Sequence, residues 1–311
     1  MSGKIAILQA ERHKPQRLEL GPIVSELRHS RETAHNIRLG GKVTEVPSAT
    51  AIAEVLDGLV TSLFPTHLGP HGLNHESVDL FVTNMLSTSL ARLGDQVARG
   101  LQFDAKGITA LEAQHRVDAI ISGLARQLPV IRALLVSDLR AAQQRDTAAN
   151  SLAEVLICHP SSRAIIHHRI AHALYALGAR FVARIIAALA QSTTGIDIHP
   201  GARIGAGFST SPGTGVVIGE TAILGQTVCL HHGVTLGENE PAPGANSPRR
   251  TPRHPILEDN VVVHAGASIL GRITVGAGSI IGGNVWLTRS VAPGSIITQA
   301  APAVSTVYNL D

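Results

Sequence analysis

Aliphatic residues recur at every sixth position through the C-terminal third of the chain. A six-residue period fits neither an α-helix, in which apolar positions repeat about every 3.6 residues, nor a β-strand, in which they alternate. A glycine directly follows several of these aliphatics, which suits a chain that turns a corner every six residues without a Cβ clash. This short repeat predicts a parallel β-helix. The aliphatic positions are Ile218, Leu224, Leu230, Leu236, Leu257, Val263, Ile269, Val275, Ile281 and Leu287, and the glycines are Gly219, Gly225, Gly237, Gly276 and Gly282.

Two features interrupt this repeat. Ile198 and Ile204 precede it but are out of phase by two residues, which predicts a slip within residues 207–215. Residues 238–255 are rich in Pro, Gly, Asn, Ser and Arg and cannot continue a coil. Loops of this kind on solenoids are frequent binding sites. We therefore assign residues 194–304 to a β-helix that carries a loop at 238–255.

Residues 48–193 have a different pattern, with apolar residues three and four positions apart, as in Ile52, Val55, Leu56 and Leu59. This spacing predicts amphipathic helices. We expect breaks at residues 64–72, at Pro129 and at residues 159–160, dividing the region into about six helices. Residues 1–47 are predicted to form a polar, partly ordered extension, and residues 305–311 a C-terminal tail. The fold class is α+β, a helical domain followed by a parallel β-helix.

Composition narrows the class of protein. The 311 residues are 44% hydrophobic but only 3% aromatic, and they include 30 glycines, which fits tight repeating turns better than a core of large rings. The net charge of +3 comes from scattered basic residues. The densest basic group, Arg249, Arg250 and Arg253, lies on one loop, so we expect no nucleic-acid partner.

The sequence also indicates a compartment. Cys158 and Cys229 lie in different halves of the chain and form neither a disulfide framework nor a metal-ligand spacing, which favours a reducing cytoplasm. The N-terminus lacks the apolar run of a secretion signal. The longest apolar stretch, Phe181–Ala190, is too short to cross a bilayer, so we expect no membrane partner.

Four segments of the chain carry specific motifs. The most specific reads Gly-Thr-Gly-Val-Val-Ile-Gly-Glu-Thr-Ala at residues 213–222, followed by Gly-Val-Thr-Leu-Gly at 233–237. The others lie at residues 146–160 with 169–172, at 194–202, and at 253–255 with 280–288. Taken in order, these segments resemble the serine O-acetyltransferases, a family of hexapeptide-repeat acyltransferases. The resemblance covers residues 146–291 and implies that the β-helix is left-handed.

The resemblance implies a catalytic arrangement from which one member is missing. In that family a histidine held by an aspartate removes the proton from the serine hydroxyl, and a second histidine assists. Asp197 occupies the position of the aspartate and His254 that of the second histidine. Pro212 occupies the position of the first histidine, and proline has no group that accepts a proton. We therefore expect His254 to act as the retained general base.

Further residues are implied for the two substrates. Asp146 corresponds to the residue that holds the amino group of the acceptor, and Arg253 to the arginine that binds its carboxylate. Glu220 is a further acidic residue near the site. The acetyl donor would be acetyl-coenzyme A, whose pantetheine arm lies along small residues of the later coils in this family. Ala265, Gly282 and Gly283 fit that description.

Three histidines on the predicted coils, His231, His232 and His264, leave alternatives open. Three converging imidazoles could bind zinc. Their spacing differs from that of known histidine-only sites on trimeric β-helices, and polar side chains on an exposed face are the simpler interpretation, so we expect no metal. His232 and His264 are instead candidates to replace the missing base.

The implied reaction is acetyl transfer from acetyl-coenzyme A to the hydroxyl of L-serine, which gives O-acetylserine for cysteine synthesis. Pro212 leaves two alternatives: a different hydroxy or amino acceptor, or a catalytically silent homologue that serves as a regulator or scaffold. The family resemblance also implies a homotrimer or a dimer of trimers. Its members commonly dock a C-terminal isoleucine into the sulfhydrylase that consumes their product. Asp311 would bring a second carboxylate into that apolar pocket, so we do not expect the complex.

Overall fold

The computed structural model describes residues 19–31, 45–104, 109–210, 212–239 and 251–299. The chain divides into two compact units, residues 1–45 and 46–311. The first contains helix α1 (Leu20–His29), which has no buried residue. The second holds both the remaining helices and the β-helix. The predicted tail at residues 305–311 lies outside the described residues, as do residues 240–250 of the loop.

Residues 46–195 of the second unit form a helical layer whose ends are set by local hydrogen bonds. Ser48 caps α2 by accepting from the Ala51 N–H, and Thr109 and Glu112 form a capping box at the start of α5. Gly195 ends α8 in the left-handed conformation, with φ of 69°. The helices are α2 (Ala49–Leu63), α3 (Pro65–Leu68), α4 (Ser77–Asp104), α5 (Ala110–Arg145), α6 (Leu152–Cys158), α7 (Pro160–Ala176) and α8 (Arg180–Thr194).

The predicted break at Pro129 is wrong, because α5 continues through it. Proline removes one backbone hydrogen bond, but Leu124 and Leu128 before it and Ile131 and Leu135 after it are buried in one core. Packing on both sides therefore holds the helix together. The predicted break at residues 159–160 is confirmed, since α6 ends at Cys158 and Pro160 begins α7.

By length and composition alone, α5 is long and apolar enough to cross a membrane, whereas the sequence analysis had considered only the shorter stretch Phe181–Ala190. This is weak evidence for a membrane span, because a core helix of a soluble protein passes the same test. Leu124 and Leu135 of α5 are fully buried, and Asp138 forms an ion pair with Arg169 of α7.

From residue 197 to residue 297 the chain forms short parallel strands in three sheets, as expected for a β-helix. Sheet A contains β1 (Asp197–Ile198), β4 (Val217–Ile218), β7 (Thr235–Gly237), β10 (Ser268–Leu270) and β13 (Trp286–Leu287). Sheet B contains β2 (Arg203–Ile204), β5 (Ile223–Leu224), β8 (Ile256–Leu257) and β11 (Thr274–Val275). Sheet C contains β3 (Ser209–Thr210), β6 (Cys229–Leu230), β9 (Val262–Val263), β12 (Ile280–Ile281) and β14 (Ile296–Ile297).

Successive strands belong to sheets A, B and C in turn, so the chain bends at three corners in every coil. Two of these corners carry the predicted site residues. The A–B corner joins sheets A and B, and its described residues are 199–202, 219–222, 238–239, 251–255 and 271–273. The C–A corner joins sheets C and A, and its described residues are 212–216, 231–234, 264–267 and 282–285.

The predicted repeat is confirmed, because every aliphatic residue assigned to the period is buried. The slip is also confirmed. Ile198, Ile204 and Thr210 keep the six-residue spacing, and the next inward residue is Ile218, so the first C–A corner is two residues longer than the others. The predicted loop fits the gap between β7, which ends at Gly237, and β8, which begins at Ile256.

The glycines after the aliphatics serve a purpose that differs from tight turning. None of Gly219, Gly225, Gly237, Gly276 and Gly282 has a positive φ, whereas Gly215, Gly233 and Gly266, one per coil at the C–A corner, do. The first set is required by close approach instead. A Cβ on Gly225 would lie 2.8 Å from the backbone nitrogen of Asp259, and one on Gly276 would lie 2.3 Å from that of Pro293.

A buried ion pair fastens the helical layer to the first coil. Arg169 of α7 donates to Asp138 of α5 at 3.0 and 3.1 Å and to the carbonyls of Ile204 and Gly205. Asp138 also accepts from the Phe208 N–H at 2.9 Å. Burial raises the pKa of Asp138 to about 6, against the opposing effect of the Arg169 charge. These contacts place the C-terminal end of α5, and with it Asp146, beside the β-helix.

Candidate active site

His254 lies at the A–B corner in a network of hydrogen bonds centred on Thr221. The Thr221 hydroxyl oxygen accepts from the N–H groups of Arg253 and His254 at 2.9 and 3.1 Å. Nδ1 of His254 lies 3.1 Å from the Thr221 N–H and 2.8 Å from its hydroxyl. The imidazole covers Gly219, where a Cβ would come within 1.9 Å of Cδ2 and 2.1 Å of Nε2. The Gly-Glu-Thr sequence at 219–221 therefore seats this ring.

These contacts define the tautomer of His254. A backbone N–H can only donate, so Nδ1 must be the acceptor, and the neutral ring carries its proton on Nε2. Burial lowers the pKa of His254, as does the charge of Arg253, which keeps the ring neutral near pH 7. A ring that carries its proton on Nε2 can donate a hydrogen bond from that atom. This arrangement differs from the general-base role that the sequence predicts for His254.

Arg253 and Glu220 form an ion pair beside this ring. The Arg253 guanidinium donates from Nη2 to Glu220 at 2.9 Å, and its Nε lies 2.8 Å from a carboxylate oxygen of Glu238. The Tyr175 hydroxyl of α7 donates to the other Glu220 oxygen at 2.8 Å. Burial raises the pKa of Glu220, but the hydrogen bonds from Tyr175 and Arg253 outweigh this effect and lower it. Glu220 therefore orients Arg253, which retains donors for a carboxylate.

Asp146 lies elsewhere, next to the C–A corner. It follows the last residue of α5 and lines a cavity of about 200 Å³. One carboxylate oxygen accepts from the Ala148 N–H at 2.9 Å, and the other lies 3.2 Å from Nε2 of His159. The remaining residues that line this cavity are Ala142, Arg145, Thr147, Ser209, Cys229 and His231.

The coil histidines meet at the C–A corner. The rings of His231 and His264 stack with their centroids 4.9 Å apart and an interplanar angle of 22°. His231 is partly buried, whereas His232 and His264 are exposed. Among the described residues, no group of three His, Cys, Asp or Glu side chains is arranged to hold a metal ion.

The residues predicted to contact coenzyme A lie on the same corner. Ala265 belongs to the coil after His231, and Gly282 and Gly283 to the one after that. Hydrogen bonds join these corners coil by coil, from Gly266 N–H to the His232 carbonyl and from Asn284 N–H to the Ala265 carbonyl. Ala265, Gly282 and Gly283 form a small-residue track that leads along the C–A corner toward His231.

Asp197 and Pro212 lie at the start of the β-helix. Asp197 is in β1, with its side chain partly exposed, and Pro212 is exposed on the first C–A corner. Within the described ranges, the Asp197 carboxylate has no hydrogen bond or ion pair to another side chain. Its role therefore stays a prediction.

The predicted site residues fall into two groups within one chain. Arg253, His254 and Glu220 lie at the A–B corner, whereas Asp146 lies near the C–A corner, at the opposite edge of sheet A. Sequence reasoning missed Thr221 and Tyr175, which hold the first group. It considered His231 only as one of three possible zinc ligands and not as a residue that lines the Asp146 cavity. His231 directly follows the inward residue Leu230, a signal that becomes specific only once the two-residue slip fixes the register.

Comparison with known proteins agrees with this architecture. Residues 254–289 match the family described as "Bacterial transferase hexapeptide (six repeats)". In structure, the chain is similar to serine acetyltransferase isoform 3 from Entamoeba histolytica, solved with cysteine, with a TM-score of 0.70 and 28% identity over 92% of this chain and 94% of that one. It is also similar to the Neisseria gonorrhoeae serine acetyltransferase solved with serine, with a TM-score of 0.52 and 26% identity over 81% of this chain and 95% of that one.

The sequence relatives carry the same name. A plasmid-encoded serine acetyltransferase of Synechococcus elongatus is 46% identical over 264 residues, which cover 82% of each chain. The serine acetyltransferase of Mycobacterium tuberculosis is 44% identical over 160 residues, covering 51% of this chain and 67% of that one. A relative of such identity over most of both chains, together with the β-helix and the Thr221-centred His254 network, shows that this chain belongs to the serine acetyltransferase family.

Proposed function

We propose that this protein transfers the acetyl group of acetyl-coenzyme A to the hydroxyl of L-serine, giving O-acetylserine and free coenzyme A. The observation that carries the proposal is the A–B corner, where a family member has kept Arg253, His254 and their supporting hydrogen bonds intact. The two solved relatives that hold serine and cysteine support an amino-acid acceptor.

The acceptor is bound by groups of opposite charge. The Asp146 carboxylate receives the ammonium group. Arg253 receives the carboxylate through its Nη1 donors and the second Nη2 hydrogen, which the ion pairs with Glu220 and Glu238 leave available. The cavity of about 200 Å³ suits a small molecule and is below the usual range for drug-sized ligands. We propose the cytoplasm as the compartment in which the protein acts.

Assembly of several copies of the chain would bring the A–B corner residues and Asp146 together in one site. Asp146 and Arg253 belong to opposite edges of sheet A in one chain, so one acceptor can contact both only if the edge of a second copy approaches. We therefore propose that the protein is a trimer or a dimer of trimers in which adjacent copies complete each site. This assembly would also cover apolar side chains that a lone β-helix exposes, such as that of Trp286, which is 71% exposed.

His254 contributes as a donor in this proposal. Its Nε2–H is available for the thioester carbonyl oxygen, which gains negative charge as the acceptor oxygen attacks. A donor fixed in advance toward that charge stabilises the transition state, and removing one such donor typically lowers kcat about 10²- to 10³-fold.

Pro212 favours a second candidate function, acyl transfer to an acceptor other than serine. Proline at this position changes the wall of the acceptor site without touching the small-residue track of Ala265, Gly282 and Gly283. An enzyme of this kind would release thiol from acetyl-coenzyme A with another hydroxy or amino acceptor and not with serine.

The test is thiol release from acetyl-coenzyme A by the purified protein, with L-serine and with a panel of hydroxy and amino acceptors. We expect release to depend on serine and O-acetylserine to accumulate in equal amount. Release with a different acceptor alone would support the second candidate. Binding of coenzyme A with no release for any acceptor would identify a silent homologue and contradict both.

A further inference from the structure

The three histidines of the C–A corner differ in their surroundings. His231 alone among them lines the cavity that Asp146 enters, together with Ser209 and Cys229. His232 and His264 are exposed and do not line this cavity. If the acceptor ammonium is held by Asp146, His231 is the coil histidine closest to the rest of that molecule.

His231 also lies one coil after the position directly before Pro212, because Thr210 is paired with Leu230. The family resemblance places the base at Pro212. Ser209 pairs with Cys229 and Thr210 pairs with Leu230, so the chain segments leading to Pro212 and to His231 leave sheet C side by side. The corners stay joined beyond this point, since the Gly233 N–H donates to the Thr214 carbonyl. Neighbouring strands are about 4.8 Å apart, a distance that a histidine side chain can span.

The electrostatic surroundings of His231 favour the neutral imidazole, which is the form that can accept a proton. Burial lowers its pKa, and so do the positive charges that His264, His232 and Arg145 can carry. The groups that face it are these three and Asp146, from the adjacent coil, its own corner and the end of α5. His264 covers one face of the ring, which limits its rotation. A neutral, partly immobilised imidazole meets the requirements of a general base.

We propose that His231 is the general base of this enzyme, replacing the histidine that the family carries at the position of Pro212. This inference rests on the proposed function. A ring nitrogen of His231 takes the proton from the acceptor hydroxyl while the oxygen forms a bond to the thioester carbonyl carbon. The tetrahedral intermediate then expels the sulfur, the C–S bond breaks, and the thiolate takes the proton from His231 as free coenzyme A.

The assignment separates two roles that sequence reasoning gave to one residue. Nδ1 of His254 is occupied as an acceptor, so that ring donates, whereas among the described contacts neither nitrogen of His231 has a hydrogen-bond partner within the chain. A donor at the A–B corner and a base at the C–A corner would meet across adjacent copies, like Arg253 and Asp146.

The experiment compares His231→Ala with the wild-type protein in thiol release. General base catalysis typically contributes about 10²- to 10⁴-fold, so we expect kcat to fall at least about 10²-fold while the dissociation constant for coenzyme A changes little. Added imidazole should restore part of the lost rate, an effect that a purely structural role would not produce. His115→Ala, an exposed histidine of α5 far along the helix, is the matched control.

Two further readouts sharpen the test. The acid limb of the wild-type kcat/KM profile should have a midpoint below the ordinary histidine pKa of about 6.5, because activity is lost as the lowered pKa of His231 is crossed from above. This limb should disappear in His231→Ala. His232→Ala should lose far less activity, because that ring is exposed outside the cavity.

The outcomes distinguish the inference from the function on which it rests. Serine-dependent release that survives His231→Ala within about threefold, or a larger loss in His232→Ala, would overturn the inference and leave the function in place. Release with another acceptor would refute serine as the substrate, and His231→Ala would then test the base with that acceptor. No release with any acceptor would overturn both.

Discussion

The A–B and C–A corners are built from the same repeat but hold their polar side chains differently. At the A–B corner, Thr221, Glu220 and Tyr175 hold His254 and Arg253 through hydrogen bonds between 2.8 and 3.1 Å. At the C–A corner, Pro212 is exposed on the first coil, and on the next coil His231 lines a cavity while its ring stacks on that of His264. The first corner fixes its side chains in a hydrogen-bond network, whereas the second leaves the His231 imidazole at the wall of a cavity.

This difference reflects how each group is held. Arg253 and His254 depend on several partners at once, so replacing one residue would leave buried polar groups unsatisfied. A single base needs fewer partners, and the neighbouring coil lies only about 4.8 Å away. A β-helix therefore allows a single proton acceptor to move by one coil more readily than it allows a network to move.

The largest expected effect comes from breaking the Asp138–Arg169 ion pair, which fastens the helices that support both corners to the first coil. Asp138→Ala would leave the Arg169 guanidinium buried without its partner, and such changes typically cost about 3–5 kcal/mol. We expect the free energy of unfolding in urea to fall by this amount. Replacing both partners by leucine should recover much of the loss, because no uncompensated charge then remains.

An exposed ion pair provides the control for this prediction. Arg92 and Glu54 are 3.1 Å apart, with side chains 60% and 61% exposed. Glu54→Ala should change the free energy of unfolding by at most about 1 kcal/mol. An Asp138→Ala protein as stable as Glu54→Ala would show that the buried pair does not fasten the helices to the first coil.

The second prediction tests whether the A–B corner donates a proton or accepts one. His254→Ala should lower kcat about 10²- to 10³-fold, as expected for loss of one fixed donor. His254→Gln places an amide N–H near the former Nε2 and should retain at least about tenfold more activity than His254→Ala. Steady-state kinetics with saturating serine would measure both, and equal inactivation of the two variants would favour a general-base role for His254.

The third prediction displaces the His254 ring without changing its chemistry. Gly219→Ala adds a Cβ that would lie 1.9 Å from Cδ2 and 2.1 Å from Nε2, far inside van der Waals contact, so the ring must move by more than about 1 Å. Misplacement of this size can reduce activity about 10²-fold. Circular dichroism should show an intact fold alongside the lower kcat.

A glycine without such contacts is the control. Gly94 in α4 would place its Cβ 3.5 Å from Cγ1 of Val117, an ordinary packing distance. Gly94→Ala should keep full activity and gain some stability from the better helix former. If Gly219→Ala behaves in the same way, the ring is not seated as tightly as the contacts indicate.

The period of the β-helix could be predicted because its inward positions are nearly all aliphatic. The six-residue spacing gave the coils, the slip before Ile218 and the loop before Ile256. The break predicted at Pro129 was wrong because burial of the side chains on both sides of it outweighed the loss of one backbone hydrogen bond in α5. The glycines after the aliphatics were correctly judged important, but they relieve contacts between coils and do not supply positive φ.

The site was harder to predict because its evidence is spread over distant parts of the sequence. Arg253 and His254 follow one another and carry a recognisable motif, so they could be found directly. His231 could not be distinguished from His232 and His264 without the strand register and the position of Asp146, which comes from the end of α5. The tautomer of His254 depends on Thr221, 33 residues away in the chain.

The smallest effect comes from placing at residues 211 and 212 the Asp-His pair that the family resemblance implies for this position. The double change Ser211→Asp and Pro212→His supplies a second base one coil from His231. In the wild-type background we expect less than about a threefold change in kcat, because a base is already present. In the His231→Ala background the same change should raise kcat about tenfold, a fraction of the usual contribution of a general base, since the new histidine lies on a different coil from His231. Thiol-release assays on the four proteins form a double-mutant cycle, and additive effects in both backgrounds would mean that the two positions do not share one proton-accepting role.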